Sequence, residues 1–202
     1  MRGVFKRLSY VMNPIVFPIL GTILYFIFLP SFVPKDQVYL IFIVVFGGTY
    51  LLPILLLGML KKTALIHTFF LKSVEERKFP LVMFLGIAVS IGNMLSKVGA
   101  VEGLTVFFFG YAVALVLSYL LLMLQIKISL HAVAIGGLTA FMICLSYYYA
   151  LNLLVPIAVL IALGGLMMSA RLYLKTHTIK EVFLGYIIGV FGQSLMYVIY
   201  NM

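Results

Sequence analysis

Long stretches without any charged residue constrain this chain more than any other feature of its sequence. Asp, Glu, Lys and Arg are absent from six blocks, namely 8–34, 37–60, 79–96, 103–126, 128–170 and 182–202. Each block reaches the ~18 residues that mark a candidate transmembrane helix. Charged residues make up 9% of the chain, against about 25% in soluble domains. These two observations exclude a water-soluble globule.

The blocks predict seven membrane crossings in a single integral membrane domain, 1–202. Block 128–170 would form one helix about 65 Å long at about 1.5 Å per residue, so it must fold back, and we place the turn at 149–153. Backbone groups in lipid must be satisfied internally, and the blocks lack the alternation of barrel strands, so each span should be helical. We expect an all-α transmembrane bundle of six to seven spans. The predicted spans lie near 11–29, 39–60, 81–96, 104–124, 131–149, 153–170 and 182–200.

The basic residues indicate which ends of the spans share a membrane face. A net charge of +9 would favour nucleic acid as the partner of a soluble protein. Here the cations lie in short loops, which indicates a membrane surface or a phosphate ligand and no nucleic-acid partner. With seven crossings, twelve of the 14 Lys and Arg residues fall on the face that carries the N-terminus. The positive-inside rule places that face in the cytoplasm.

Three polar segments gather on this same face. They are 72–80 before the third span, 127–131 at the start of the fifth and 169–181 at the start of the seventh. If the chain around His177 is helical, Glu181 lies one turn further on. Its carboxylate can then fix the imidazole tautomer and leave the other nitrogen free as a nucleophile or base. Arg171 and Lys175 can donate hydrogen bonds to an anion, so the segment predicts a phosphate site.

The third segment resembles the last motif of the type-2 phosphatidic acid phosphatase superfamily, S-R-x5-H-x3-D. Arg171 and His177 have the spacing of that motif, and Glu181 stands at the position of its Asp. Ala170 occupies the position of its Ser. The apolar continuation after Glu181 is also similar to that of the family.

The two earlier motifs of the family are matched in part. Of P-S-G-H, this chain has Ser129 and His131. Of K-x6-R-P, it has Lys72 and Pro80, and the nearest guanidinium to the Arg position is that of Arg77. The three matches occur in the family's order, and each is separated from the next by two spans, which returns it to the same face. The resemblance covers roughly residues 60 to 192.

The resemblance implies a membrane lipid phosphatase that works without a metal or other cofactor, through a phosphohistidine intermediate. His177 would attack phosphorus, Glu181 would stabilise the imidazolium, and His131 would protonate the leaving oxygen and later activate water. The residues that would hold the phosphate are Arg171, Lys72, Arg77, Ser129 and Lys175.

The resemblance also implies a substrate and a location. The substrate would be a phospholipid or polyprenyl phosphate, hydrolysed as a phosphomonoester or a pyrophosphate, and the membrane would be a bacterial inner membrane. Members of the family often work on its outer side, whereas the distribution of cations favours the cytoplasmic side. The sequence leaves sidedness, the lipid and the oligomeric state open.

Other interpretations of the same residues remain. A catalytically weakened family member that binds phospholipid or assists another membrane enzyme is favoured by the departures from the first two motifs. A small membrane transporter has less support, because the uncharged polar residues in the spans are few and scattered. A zinc site formed by His131, His177 and Glu181 is chemically feasible, but the cations in the same loops disfavour it.

Overall fold

The chain forms a bundle of α-helices, which confirms the predicted all-α transmembrane class. The computed structural model describes residues 2–62 and 74–201. The α-helices in these residues are α1 (Arg2–Val11), α2 (Phe17–Phe28), α3 (Lys35–Phe46), α4 (Leu52–Lys62), α5 (Val74–Leu95), α6 (Glu102–Met123), α7 (Leu130–Tyr148), α8 (Leu154–Tyr173) and α9 (Ile179–Ile199). Within the described ranges, seven segments are long and apolar enough to cross a bilayer. They are Phe5–Phe28, Lys35–Lys62, Glu76–Leu95, Gly99–Met123, Leu130–Tyr148, Leu154–Tyr173 and Ile179–Ile199.

The outer surface of the bundle is strongly apolar. Ile43 is 68% exposed, Leu55 is 65% exposed and Phe183 is 61% exposed. Exposed apolar area of this extent is unfavourable in water and suits contact with lipid tails. The chain is therefore an integral membrane protein.

Two of the spans are interrupted where proline removes a backbone donor. In the first span, Asn13 caps a short 3₁₀ turn, Pro14–Val16, and so separates α1 from α2. In the second, a π-helical turn, Gly47–Leu51, joins α3 to α4 just before Pro53. Since Pro53 has no N–H for the carbonyl four residues earlier, the wider turn accommodates the missing hydrogen bond. The first interruption leaves α1 as a separate helix.

Glycines bring α7 and α9 into close backbone contact. A Cβ on Gly189 would collide with the carbonyl of Val133, and a Cβ on Gly185 would lie 2.8 Å from the carbonyl of Ser129. Small residues of this kind allow membrane helices to approach closely. Gly185 lies beside Ser129, and Gly189, one turn later, lies beside Val133. The residue numbers rise together along the two helices, so α7 and α9 run parallel. Their N-termini therefore lie at one end of the bundle, where the N–H of Ser129 donates to the Glu181 carbonyl at 3.1 Å.

Candidate active site at the helix ends

The end of α8 directs the chain toward His177. The N–H of Thr176 donates to the carbonyl of Arg171 at 3.2 Å, and the N–H of Lys175 donates to that of Leu172 at 2.9 Å. Lys175 has a φ of 52°. This combination is a Schellman motif, with a left-handed residue just past the helix end. Arg171 thus lies in the last turn of α8, and His177 follows after a tight turn.

His177 and Glu181 form a short hydrogen bond at the start of α9. Their Nδ1 and Oε2 atoms are 2.6 Å apart. His177 precedes the helix, so the contact does not come from the helical spacing considered above. A capping box makes the contact instead: the Thr178 hydroxyl accepts from the Glu181 N–H, and the carboxylate accepts from the Thr178 N–H, both at 3.3 Å. The box bends the Glu181 side chain back toward the residue before the helix.

The electrostatic setting keeps His177 neutral. Its side chain is 3% exposed, and burial lowers the pKa to about 4, against the opposing influence of the Glu181 hydrogen bond. The positive charges of Arg171 and Arg77 lower the pKa further. Since an ionised carboxylate only accepts hydrogen bonds, Nδ1 must carry the proton. Nε2 of His177 is therefore the nitrogen that holds a lone pair.

Ser9 of α1 contacts both Arg171 and His131. Nη1 of Arg171 donates to the Ser9 hydroxyl oxygen at 2.7 Å. The backbone carbonyl of Ser9 lies 3.2 Å from Nε2 of His131, and a carbonyl can only accept, so Nε2 carries the proton in this contact. Phe5, one turn earlier in α1, lies 5.0 Å from Tyr173 of α8 between ring centroids. The N-terminal helix thus covers the ends of α7 and α8.

Arg77 and Ser129 complete the cluster. Nη1 of Arg77 donates to the carbonyl of Ile128 at 3.3 Å, and its charge interacts with that of Glu181. Two buried polar atoms, Ser129 Oγ and Arg171 Nε, find no hydrogen-bond partner within the described ranges. Because buried polar groups are almost always bonded, both atoms suit binding to a polar ligand or water.

The structure brings together most of the predicted site residues. His131 interacts electrostatically with His177, Arg171 and Arg77, so the segments at the starts of α5, α7 and α9 converge on one end of the bundle. Lys72 lies outside the described residues. Lys175 is exposed, at the left-handed position of the Schellman motif.

The chemistry of the cluster is that of an anion site. It combines guanidinium groups, a buried hydroxyl and the N-termini of α7 and α9, whose dipoles favour negative charge. No group of three or more His, Cys, Asp and Glu residues with the geometry of a metal site occurs among the described residues. These donors can hold a phosphate group next to the neutral imidazole of His177.

Sequence reasoning missed two residues of this arrangement. Thr178 was available as a signal, because Thr followed three residues later by Glu is the capping-box pattern. Ser9 offered no such signal, because no sequence pattern relates it to Arg171, which lies 162 residues away. Ala170, which stands where the resembled motif has Ser, is fully buried, and the hydroxyl next to Arg171 comes from Ser9 instead.

Comparison of the chain with protein-family models, with curated proteins and with solved structures finds no match.

Proposed function

We propose that this protein is a membrane lipid phosphatase that hydrolyses a lipid phosphomonoester or pyrophosphate through a phosphohistidine on His177. The observation that carries the proposal is the His177–Glu181 pair, 2.6 Å apart, next to two arginines. A neutral imidazole that donates from Nδ1 to a carboxylate has Nε2 free as a nucleophile.

The first half-reaction follows from these positions. Nε2 of His177 attacks phosphorus, a P–N bond forms, and the P–O bond to the lipid or its phosphate breaks. His131 acts in its protonated form: it donates the proton that the leaving oxygen takes up and becomes neutral. Glu181 stabilises the positive charge that develops on the phosphorylated imidazole ring, while Arg171 and Arg77 balance the charge on the phosphoryl oxygens.

The second half-reaction returns the enzyme to its starting state. His131 accepts a proton from water as the water attacks phosphorus, the P–N bond breaks, and inorganic phosphate leaves. The Ser129 hydroxyl is a further donor to the phosphoryl oxygens. Lys72 and Lys175 are proposed as additional cations for the same group, in keeping with the resemblance.

A lipid substrate fits the position of the cluster at the end of a lipid-exposed bundle. The acyl or prenyl chain can stay in the bilayer while its phosphate reaches the helix ends. We place the cluster at the cytoplasmic leaflet of a bacterial inner membrane. Most of the Lys and Arg residues fall at this end of the bundle, and the positive-inside rule assigns such an end to the cytoplasm. Phosphatidate, phosphatidylglycerol phosphate, a polyprenyl pyrophosphate and a lipid A phosphate form the panel of candidate substrates.

The test is phosphate release by the purified protein from each member of the panel. We expect release that survives chelators, disappears in His177→Ala and persists in Lys180→Ala, which removes an exposed cation of the same segment. Brief reaction with ³²P-labelled substrate should give a label on the wild type that is labile to acid and stable to alkali, and no label on His177→Ala. Release that persists in His177→Ala, or no release from any lipid, contradicts the proposal.

A second candidate function is phospholipid binding without turnover. The contact between Nε2 of His131 and the Ser9 carbonyl favours it. In this contact the Nε2 proton, which acid catalysis requires, is already donated to a backbone oxygen. In that case the protein binds vesicles that contain phosphatidate but releases no phosphate, and His131→Ala binds them as the wild type does.

A further inference from the structure

We infer that Ser9 is a positioning residue of the anion site, so that the N-terminal helix α1 forms part of the site. The inference rests on the proposed function and deepens it, because it assigns to α1 the task of orienting Arg171 toward phosphate. Ser9 belongs to none of the three polar segments.

The geometry of the guanidinium group supports this assignment. Arg171 donates from Nη1 to the Ser9 hydroxyl oxygen at 2.7 Å, while its Nε is buried and has no partner in the described parts of the chain. The guanidinium is planar and rigid, so a bond that fixes one nitrogen fixes the orientation of the others. Ser9 therefore anchors one edge of the group and leaves the Nε edge available to a phosphoryl oxygen.

The same residue also restrains His131. The Ser9 carbonyl lies 3.2 Å from Nε2 of that imidazole, so one residue of α1 contacts the proposed proton donor on α7 and the proposed phosphate ligand on α8. The carbonyl contact belongs to the backbone, and the hydroxyl contact belongs to the side chain. A substitution of the side chain therefore removes the Arg171 contact alone.

The docking of α1 explains why Ser9 occupies this place. Phe5 and Ser9 are four residues apart, so they lie on the same face of the helix. Phe5 packs on Tyr173 with 5.0 Å between ring centroids, whereas Lys6, Arg7 and Val11 are exposed. The aromatic contact fixes the helix against α8, and the hydroxyl meets Arg171 as a consequence.

The experiment compares Ser9→Ala and Ser9→Thr with the wild type, and uses Val11→Ala as the matched control. Val11 is 72% exposed on the same helix. The Kd for inorganic phosphate is measured by ligand-dependent thermal stabilisation, and kcat and KM are measured on the best lipid substrate. We expect Ser9→Ala to raise the Kd for phosphate and KM about tenfold, the low end for loss of a hydrogen bond to a charged group, with a smaller change in kcat.

The expected pattern in the other variants separates positioning from general damage. Ser9→Thr retains the hydroxyl and should restore both values, and Val11→Ala should match the wild type. In an Arg171→Ala background, Ser9→Ala should have no further effect, because Ser9 acts through that arginine. If Ser9→Ala does not fold, Ser9→Cys takes its place, since it keeps the side-chain size and replaces the oxygen with a weak acceptor.

Three results overturn the inference. One is an unchanged Kd and KM in Ser9→Ala, and another is tighter binding or faster turnover, which would mean that Ser9 competes with phosphate for Arg171. The third is a wild-type protein that binds no phosphate. Phosphate binding that weakens in Ser9→Ala, in a protein that hydrolyses no lipid, supports the inference and contradicts the proposed catalytic function, so the two failures are distinguishable.

Discussion

Replacing Glu181 with glutamine tests the central contact of the site, because it removes the charge and keeps the size of the side chain. The Glu181 carboxylate accepts from Nδ1 of His177 at 2.6 Å. The same Oε2 atom also accepts from the Thr178 N–H, so a glutamine should keep its carbonyl oxygen at this position and leave the proton on Nδ1. A neutral amide cannot stabilise the positive charge that develops on the phosphorylated ring as the carboxylate does. We therefore expect kcat to fall.

The size of the fall follows from the nature of the bond. A contact of 2.6 Å to an ionised carboxylate is charge-assisted, and hydrogen bonds to charged groups contribute about 1.5–3 kcal/mol. Loss of this energy from the transition state lowers the rate about 10- to 150-fold. We expect kcat of Glu181→Gln to fall within this range, measured as phosphate release from the preferred lipid.

The pH profile gives a second measure of the same contact. Burial lowers the pKa of His177 to about 4, and the Glu181 hydrogen bond opposes this shift. Neutral His177 is the form that we propose attacks phosphorus, so kcat/KM should be lost on the acid side as the pH falls through about 4, while the need for a protonated His131 sets a separate limit on the alkaline side. Without the carboxylate, an influence that raises the pKa is gone. The acid limb of Glu181→Gln should therefore lie at a lower pH than that of the wild type.

The control variant is Thr178→Ala. It removes the hydroxyl that accepts from the Glu181 N–H at 3.3 Å, which should lower the free energy of unfolding by about 1 kcal/mol. It leaves the carboxylate and His177 in place, so kcat should change little. If Thr178→Ala lowers kcat as much as Glu181→Gln does, Glu181 acts only through the helix start and the reasoning is refuted. Full activity of Glu181→Gln refutes it as well.

Three further predictions concern folding and sidedness. Lys175→Gly should raise the free energy of unfolding by about 1 kcal/mol in a denaturant titration, because Lys175 has a φ of 52° that only glycine adopts without cost. Gly189→Ala should lower the midpoint of thermal unfolding, since its Cβ would collide with the Val133 carbonyl, whereas Gly165→Ala, which meets no atom within 4 Å, should not. In a Cys144→Ala background, Lys175→Cys should react with a membrane-impermeant maleimide in inverted vesicles and not in intact cells. Labelling in intact cells contradicts the cytoplasmic placement.

The fold class was predictable because a bilayer admits few solutions. Once the charged residues are confined to short segments, the spans must form helices, and the class follows without knowledge of side-chain contacts. The form of the helix interruptions was harder to predict from the sequence. Proline at 53 is compatible with a kink or with the wider turn that the structure shows at Gly47–Leu51. The choice depends on how neighbouring helices satisfy the backbone, which is a tertiary property.

The site was predictable only where its residues lie close in the sequence. Arg171, His177 and Glu181 are related by short spacings, and such spacings restrict the possible geometry. The contact of His131 and Arg171 with Ser9 depends on how α1 docks against α8. Docking of this kind follows from side-chain packing between distant segments, here Phe5 on Tyr173, and no local pattern encodes it.

Helix packing and the chemistry of the cluster depend on the same glycines. Because α8 returns the chain between them, α7 and α9 run in the same direction and both N-termini reach one membrane face. Because Gly185 and Gly189 let the two helices pack closely, their dipoles act on one place. An antiparallel pair would have put His131 and His177 on opposite faces. The arginines then act on a region that already favours negative charge, and His177 stays neutral because burial disfavours its protonated form. The parallel arrangement of α7 and α9 is therefore the structural condition on which every catalytic step of the proposal depends.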